Sequence, residues 1–247
     1  MRNDLLSAQA SVDWAVSNFP ALQKRLDIWR DDNLHVVIED LPSDNPNSII
    51  VAREKEPLPL MFNAEVGAYI NAIRSSLDIL ATSLVERYRI PIKEEDTYFP
   101  VLNSEAQFRS PRYKGSEFVQ GLPPTERGII ETLKPYKGGN NLLWSLHHLD
   151  IVRKHCRLLT VEPNPVSFHI NGWGLESTFT PISGGWMCNP GETVLGFLAK
   201  GAPKPKMEFT GYIGLNEPGA LARHPLVPAL DKFASLANSI ITLFDTP

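Results

Sequence analysis

One stripe of apolar residues constrains this chain more than any other feature. Val66, Tyr69, Ile70, Ile73, Leu77, Leu80, Ala81 and Leu84 lie between Ala64 and Arg89 without an intervening proline. At about 100° per residue they fall on one arc of a helical wheel. The pattern predicts a long helix with one face in a core, stopped by Pro91, which cannot continue it. A second helix is predicted for residues 140–160, directly after the Gly138-Gly139 break. Apolar residues recur nearly all round that segment, so it is expected to be central and heavily buried.

The remaining elements arrange themselves around this pair. Residues 4–30 read as a helix through Leu5, Leu6, Val12, Trp14, Val16, Phe19, Leu22, Leu26 and Trp29, with Pro20 expected to split or kink it. LHVVIEDL, the turn cluster PSDNPN and SIIVARE read as a β-hairpin over 34–54, ended by Pro57 and Pro59. After Pro163 the period changes to two. VSFHING, ESTFTPI, GETVLGFLA and KMEFTGYIGL read as strands, with turns at Gly184-Gly185, Asn189-Pro190-Gly191 and Ala202-Pro203-Lys204-Pro205. An amphipathic helix over about 226–244 follows them. A lone hairpin is marginal in water, so the expected solution is one antiparallel sheet joining it to the later strands, with helices packed on it. The fold class is thus α+β. One domain is expected over 1–247: a helix-hairpin-helix front half (1–160), a strand-rich half (161–225) and a C-terminal helix (226–245).

Residues 91–139 are less regular and proline-rich, with a basic cluster of Arg109, Arg112 and Lys114. Only TERGIIETLKPY reads as helical, with Thr125 as N-cap. A segment of this kind is expected to be a functional covering loop. The glycine-rich strings NGWG and SGGW read as hairpin geometry.

A chain of 247 residues, 43% hydrophobic, buries a core without disulfides or metals. Its net charge of −4 is not that of a chain that attracts nucleic acid over its whole surface, although a local basic groove stays open. Cys156 and Cys188 lack paired spacing, so reduced thiols in the cytoplasm are expected. No apolar run approaches the roughly 20 residues of a membrane span, and no membrane association is expected. P-loop, GxGxxG, GxSxG and HExxH motifs are all missing. Neither a cofactor nor a metal is expected, because His147, His148, Asp150 and His155 do not share one helical face.

Polar residues interrupt the two main helices in a pattern. Asn71, Arg74 and Asp78 lie at steps of three and four along the edge of the apolar stripe. His147, Asp150, Lys154 and Arg157 share one face of the later helix, while His148 and His155 lie on another, a heptad apart. Charges at a core margin need partners. Two readings follow. Arg74, Asp78, Asp150, Lys154 and Arg157 form an interhelical ion-pair network that fixes register, with His148 and His155 hydrogen-bonded in or near the core. Alternatively, histidines, carboxylates and cations converge in a cleft and hold a phosphate or carboxylate.

Four segments also occur in a suggestive order: IRSSLDILATSLVER, Tyr98-Phe99-Pro100-Val101, Leu133-Lys134-Pro135-Tyr136 and Arg153-Lys154-His155-Cys156. Over about 64–160 this order resembles an uncharacterised bacterial family with "RSALDHLA", "FP", "LQPY" and "DKHR"-like motifs. Arg74, Ser75, Asp78, Lys154 and His155 match, whereas Ile79, Arg153 and Cys156 depart. The helix pair is more distantly similar to HEPN helical domains, many of them metal-independent ribonucleases whose arginine precedes a histidine at a longer spacing than Arg153 and His155 show. Two functions are open. The first, from the polar cleft between the two main helices, is a non-catalytic binding or regulatory module that takes an anionic small molecule or peptide through Arg74, Asp78, Asp150, Lys154, His155 and His148, with self-association left open. The second is a HEPN-like ribonuclease, with His155 as acid or base and Arg74 or Lys154 steadying the RNA phosphate. The acidic balance and the short arginine–histidine spacing favour the first.

Overall fold

In the computed structural model, residues 1–113, 115–171, 179–189, 191–202 and 206–245 are described. A 3-10 turn at Asn3–Leu5 leads into α1 (Leu6–Asn33), which runs unbroken through Pro20. Proline removes the amide that would pair with the Val16 carbonyl, but Val16 and Pro20 are both exposed, so water can serve that carbonyl and the helix continues. The buried apolar residues of this stretch are Leu5, Ala8, Val12, Ala15, Phe19, Leu22, Leu26 and Trp29. They alternate in steps of three and four throughout, the seam of a heptad repeat. Leu6, Trp14 and Val16, expected in the core, are exposed instead. Two alanines hold the seam at their places.

The hairpin forms as expected, with β1 (Leu34–Asp40) antiparallel to β2 (Asn47–Glu54). A Ser48 hydroxyl donating to Asp40 at 2.6 Å closes its end. Then come α2 (Leu60–Tyr88), a 3-10 turn at Glu94–Asp96, α3 (Glu105–Arg109), α4 (Ser116–Gly121), α5 (Pro124–Leu133) and α6 (Asn141–His155). The second half holds β3 (Val161–Asn171), β4 (Phe179–Asn189), β5 (Glu192–Ala199), β6 (Lys206–Leu215), the two-residue β7 (His224–Pro225) and α7 (Leu226–Leu243). One sheet has the order β1-β2-β5-β4 and the other β3-β6-β7. The early hairpin therefore joins the later strands through β2 and β5, antiparallel, as an α+β fold requires. The strands occupy two sheets rather than one. Gly184-Gly185 does not turn the chain. β4 runs through it, and five steps from Pro181 to Trp186 face two steps of β5, a bulge that absorbs the turn signal. The NGWG string extends into residues outside those described.

Contacts gather the chain into two compact units, each assembled from separated stretches. The first holds Met1–Leu22, Leu60–Val161 and Leu215–Pro247; the second holds Gln23–Pro59 and Glu162–Gly214. The chain leaves the first unit at Val161, where the sequence period changes from helical to two.

In the first unit α2 packs against α6 and α7, and all eight residues of the predicted stripe are buried. α7 is long and apolar enough to cross a membrane by length and composition. It buries Leu226, Ala229, Leu230, Phe233, Ala234, Ala237, Ile240 and Ile241 in this unit, as a core helix does. α6 is only half as buried as its sequence suggests. Leu143, Leu146, Leu149 and Asp150 are inside, but Ile151, Lys154, His155, Cys156 and Leu158 are exposed. In the second unit Ile50, Ala52 and Leu195 form a small core, with Val36 and Ile38 packed against it. Arg53 laces three strands there, pairing with Glu39 of β1 and Glu192 of β5.

Candidate functional site

Arg74, on α2, is 3% exposed, and each of its three guanidinium nitrogens is engaged. Nε donates to His147 Nδ1 at 3.1 Å, one Nη to Asp78 Oδ1 at 2.8 Å, and the other to the Phe99 carbonyl at 2.9 Å. Asp78 Oδ1 also accepts from the Phe99 amide at 2.9 Å. The i,i+4 pair on α2 thus grips both backbone groups of one residue, as a neighbouring strand would. The residues that carry the "RSxLD" and "FP" elements are in mutual contact, and their contact pins the chain where it leaves α2. Because His147 Nδ1 accepts, its proton sits on Nε2. Burial first, then the positive charges of Arg74 and Lys154, push the His147 pKa down to about 3, so this imidazole is neutral and acts as an acceptor.

The other predicted residues separate into groups. Asp150, 4% exposed, pairs with Lys154 at 2.6 Å within α6 and with Arg153 at 3.5 Å. Arg153 then crosses to α2, donating to Asn71 at 2.6 Å. Its chain lies over Gly67, where a Cβ would come within 3.0 Å of it. Sequence reasoning set Arg153 aside as a departure from the family, yet it is the side chain that ties α6 to this part of α2. An isolated glycine inside a helical pattern was the available signal. Arg157 does not join the network. It forms a forked pair with Glu217 at 2.5 and 2.9 Å, and the Thr160 amide donates to the same carboxylate. Burial works against the charged Glu217, but these hydrogen bonds outweigh it and hold its pKa below the ordinary value. His148 stacks on Trp144, ring centres 4.9 Å apart and nearly parallel, with the Lys137 ammonium 4.7 Å from the Trp144 ring. His155 is exposed at the end of α6, not buried among apolar neighbours as its spacing suggests; in that last turn it is Arg153 that lies on α2. His155 takes no part in the Arg74 cluster.

A different place offers room for a ligand. Residues 102–137 form an excursion whose ends are tied by two hydrogen bonds, Leu102 N–H to the Pro135 carbonyl at 2.9 Å and Lys137 N–H to the Leu102 carbonyl at 3.0 Å. Gly139 is needed where the excursion rejoins α6, because a Cβ there would lie 2.6 Å from the Lys134 carbonyl. Inside it, Ser104 caps α3 by accepting from the Gln107 amide, and the Gln107 side chain reaches back to the Asn103 amide. α5 starts with Pro124 in its first turn, and Pro123, not Thr125, occupies the cap position. It ends on Lys134, which is held in the left-handed region at φ 48°.

α3, α4, α5 and their connections line an open cavity of about 630 Å³. Tyr113, Phe108 and Tyr136 make one side, a row of rings with centres 5.7 and 5.8 Å apart. Arg109, Arg127 and Lys134 supply positive charge, against the carboxylates of Glu105 and Glu131. Arg109 is already paired with Glu105 at 2.5 Å. The Arg127 guanidinium is anchored by hydrogen bonds to the Gln120 and Leu122 carbonyls, while its Nε–H is buried without a partner. Burial, then the charge of Glu131, raise the Tyr113 pKa to about 12, so its phenol stays a donor. Of the basic cluster read from sequence, Arg109 lines this cavity, Arg112 is exposed, and Lys114 lies outside the described residues. No family model, curated protein or solved structure matches the chain.

Proposed function

We propose that this chain is a binding module for an anionic small molecule, seated in the cavity of the 102–137 excursion. The observation that carries this reading is the composition of the cavity wall: three cationic side chains against two carboxylates, beside a row of three aromatic rings. Its volume, about 630 Å³, is that of a small-ligand site, and its wall is more polar than apolar, which suits a charged ligand. The cleft between α2 and α6 is the weaker seat, because Arg74 has every nitrogen committed to protein acceptors and a ligand would have to break one of those bonds. A cytoplasmic setting agrees with the free, exposed thiol of Cys156.

The test uses 8-anilinonaphthalene-1-sulfonate, a flat aromatic anion, and N-phenyl-1-naphthylamine, its uncharged counterpart. Saturable one-to-one fluorescence binding is expected for the anion, at least about tenfold tighter than for the neutral dye, since a charge-assisted hydrogen bond to Arg127 or Lys134 distinguishes them. Lys134→Asn should weaken the anion and leave the neutral dye unchanged. Equal affinities for the two dyes, indifferent to Lys134, would rule the reading out.

A further inference from the structure

We infer that the ligand of this cavity is a nucleoside phosphate: a flat ring, a hydroxylated sugar and a phosphate in one molecule. The inference rests on the preceding reading and narrows it. The three kinds of group that line the cavity have different requirements. The ring row of Tyr113, Phe108 and Tyr136 presents aromatic surface, with Phe108 and Tyr113 only partly buried. Such a surface takes any flat heterocycle by stacking, without reading its edge.

Glu131 sets a second condition. Of the two carboxylates on the wall, Glu105 is paired with Arg109, while the charge of Glu131 is felt by both Tyr113 and Arg109. An ionised carboxylate only accepts hydrogen bonds, so a ligand that was anionic throughout would be repelled here. The ligand must therefore carry donors, such as sugar hydroxyls, at one end and its charge at the other.

Arg127 and Lys134 set the third. With Arg109 paired to Glu105, these two cations are the ones that face the cavity without a carboxylate salt bridge of their own. The Arg127 head is fixed by the Gln120 and Leu122 carbonyls at the α4 end, so its positive charge is already held in place at the wall and attracts a phosphate without further ordering of the side chain. Lys134 stands in a backbone conformation that glycine or asparagine adopts more readily, and it adds a mobile cation at the same wall.

Isothermal titration calorimetry at low ionic strength tests the inference with adenosine 5′-monophosphate, adenosine and inorganic phosphate. The monophosphate should bind at least about tenfold tighter than either fragment, because ring and anion contacts are made together. Lys134→Asn, which suits φ 48°, should weaken the monophosphate and leave adenosine unchanged; Phe108→Leu should do the reverse to the ring contribution, weakening both the monophosphate and adenosine but not phosphate. Tetraadenylate with and without a 5′-phosphate identifies the source. Tight binding of the phosphorylated strand assigns the site to a strand end, and its exclusion assigns it to a free nucleotide; either keeps the chemistry. Inorganic phosphate or adenosine matching the monophosphate, or both strands binding tightly and equally, would overturn it. If the monophosphate fails while 8-anilinonaphthalene-1-sulfonate still binds, the nucleotide is wrong and the anion site stands. If both fail, the binding-module reading falls with it.

Discussion

At the scale of single residues, Arg74 and His147 show how a polar cluster at a core margin is resolved. Arg74 is buried with three acceptors, so removing it strands the His147, Asp78 and Phe99 groups. Arg74→Ala should cost about 1–3 kcal/mol in urea denaturation, because it leaves the buried Phe99 carbonyl without its donor while the partly exposed Asp78 turns to water. Arg74→Lys should recover little of it, because one ammonium cannot reproduce a planar three-way fork. A loss below about 1 kcal/mol would mean that the clamp does not hold the Phe99 segment. His147 gives a signature in pH. The unfolded chain takes up a proton on this imidazole near pH 6.5, the folded chain only near about 3. In between, the unfolded state binds more protons, so stability falls as pH drops, by at most about 1.4 kcal/mol per unit. Asp4 and Glu217, whose pKa values are held below the ordinary by Arg87 and Arg157 respectively, lose their contributions only below about pH 4.5. Between pH 6.5 and 4.5, then, His147→Gln should flatten the stability profile, and a profile identical to the parent protein's would contradict the assignment.

At the scale of elements, α1 is the clearest case of a pattern visible only when small residues are counted. Its buried seam includes Ala8 and Ala15, each fully buried, while the larger Leu6 and Trp14 face outward. Close packing leaves no room at the alanines. Ala15→Leu should therefore destabilise the protein by about 1–3 kcal/mol, while Leu6→Gln should stay within about 0.5 kcal/mol. Pro20 is the converse: an exposed proline inside a continuous helix. Pro20→Ala restores a helical hydrogen bond and should raise the melting temperature, with a gain of up to about 3 kcal/mol; an unchanged or lowered melting temperature would show that Pro20 is needed where it stands. β4 teaches the same lesson in a sheet, where a Gly-Gly pair that reads as a turn is taken up as a bulge because β5 supplies a partner on either side of it.

At the scale of the whole molecule, the two units interleave along the chain, and α1 belongs to both, its residues through Leu22 in one and from Gln23 in the other. Cooperative exchange groups follow contact density rather than helix boundaries. Hydrogen exchange should accordingly show one protection level for amides of α1 before Leu22 and another after Gln23, the second matching β1, β2 and β5. A single uniform level along α1 would show that the units open together. The membrane-length α7 belongs to this scale as well. Read alone it passes for a span, but its apolar face is covered by α2 and α6.

The sequence by itself determined the elements with strong periodicity: the α2 stripe, the hairpin and its turn, α7, the α+β class and the joining of early and late strands. Each depends on local pattern plus the need to bury it, and both are written in residue order. The partners of the charges were decided only in the tertiary structure. Spacing placed Arg157 beside Asp150 and Lys154 on one face, yet Glu217, sixty positions away, takes it instead. Nothing local distinguishes those acceptors, because a charge pairs with whatever the fold brings within reach. His155 is exposed for a related reason: its apolar neighbours suggest burial, but in the last turn of α6 the side that α2 covers carries Arg153, and His155 is left to solvent. The cavity of the 102–137 excursion was legible only as an irregular, proline-rich stretch. Its walls come from three short helices and their connections, and the space between them exists only once the Leu102–Lys137 tie has brought them together.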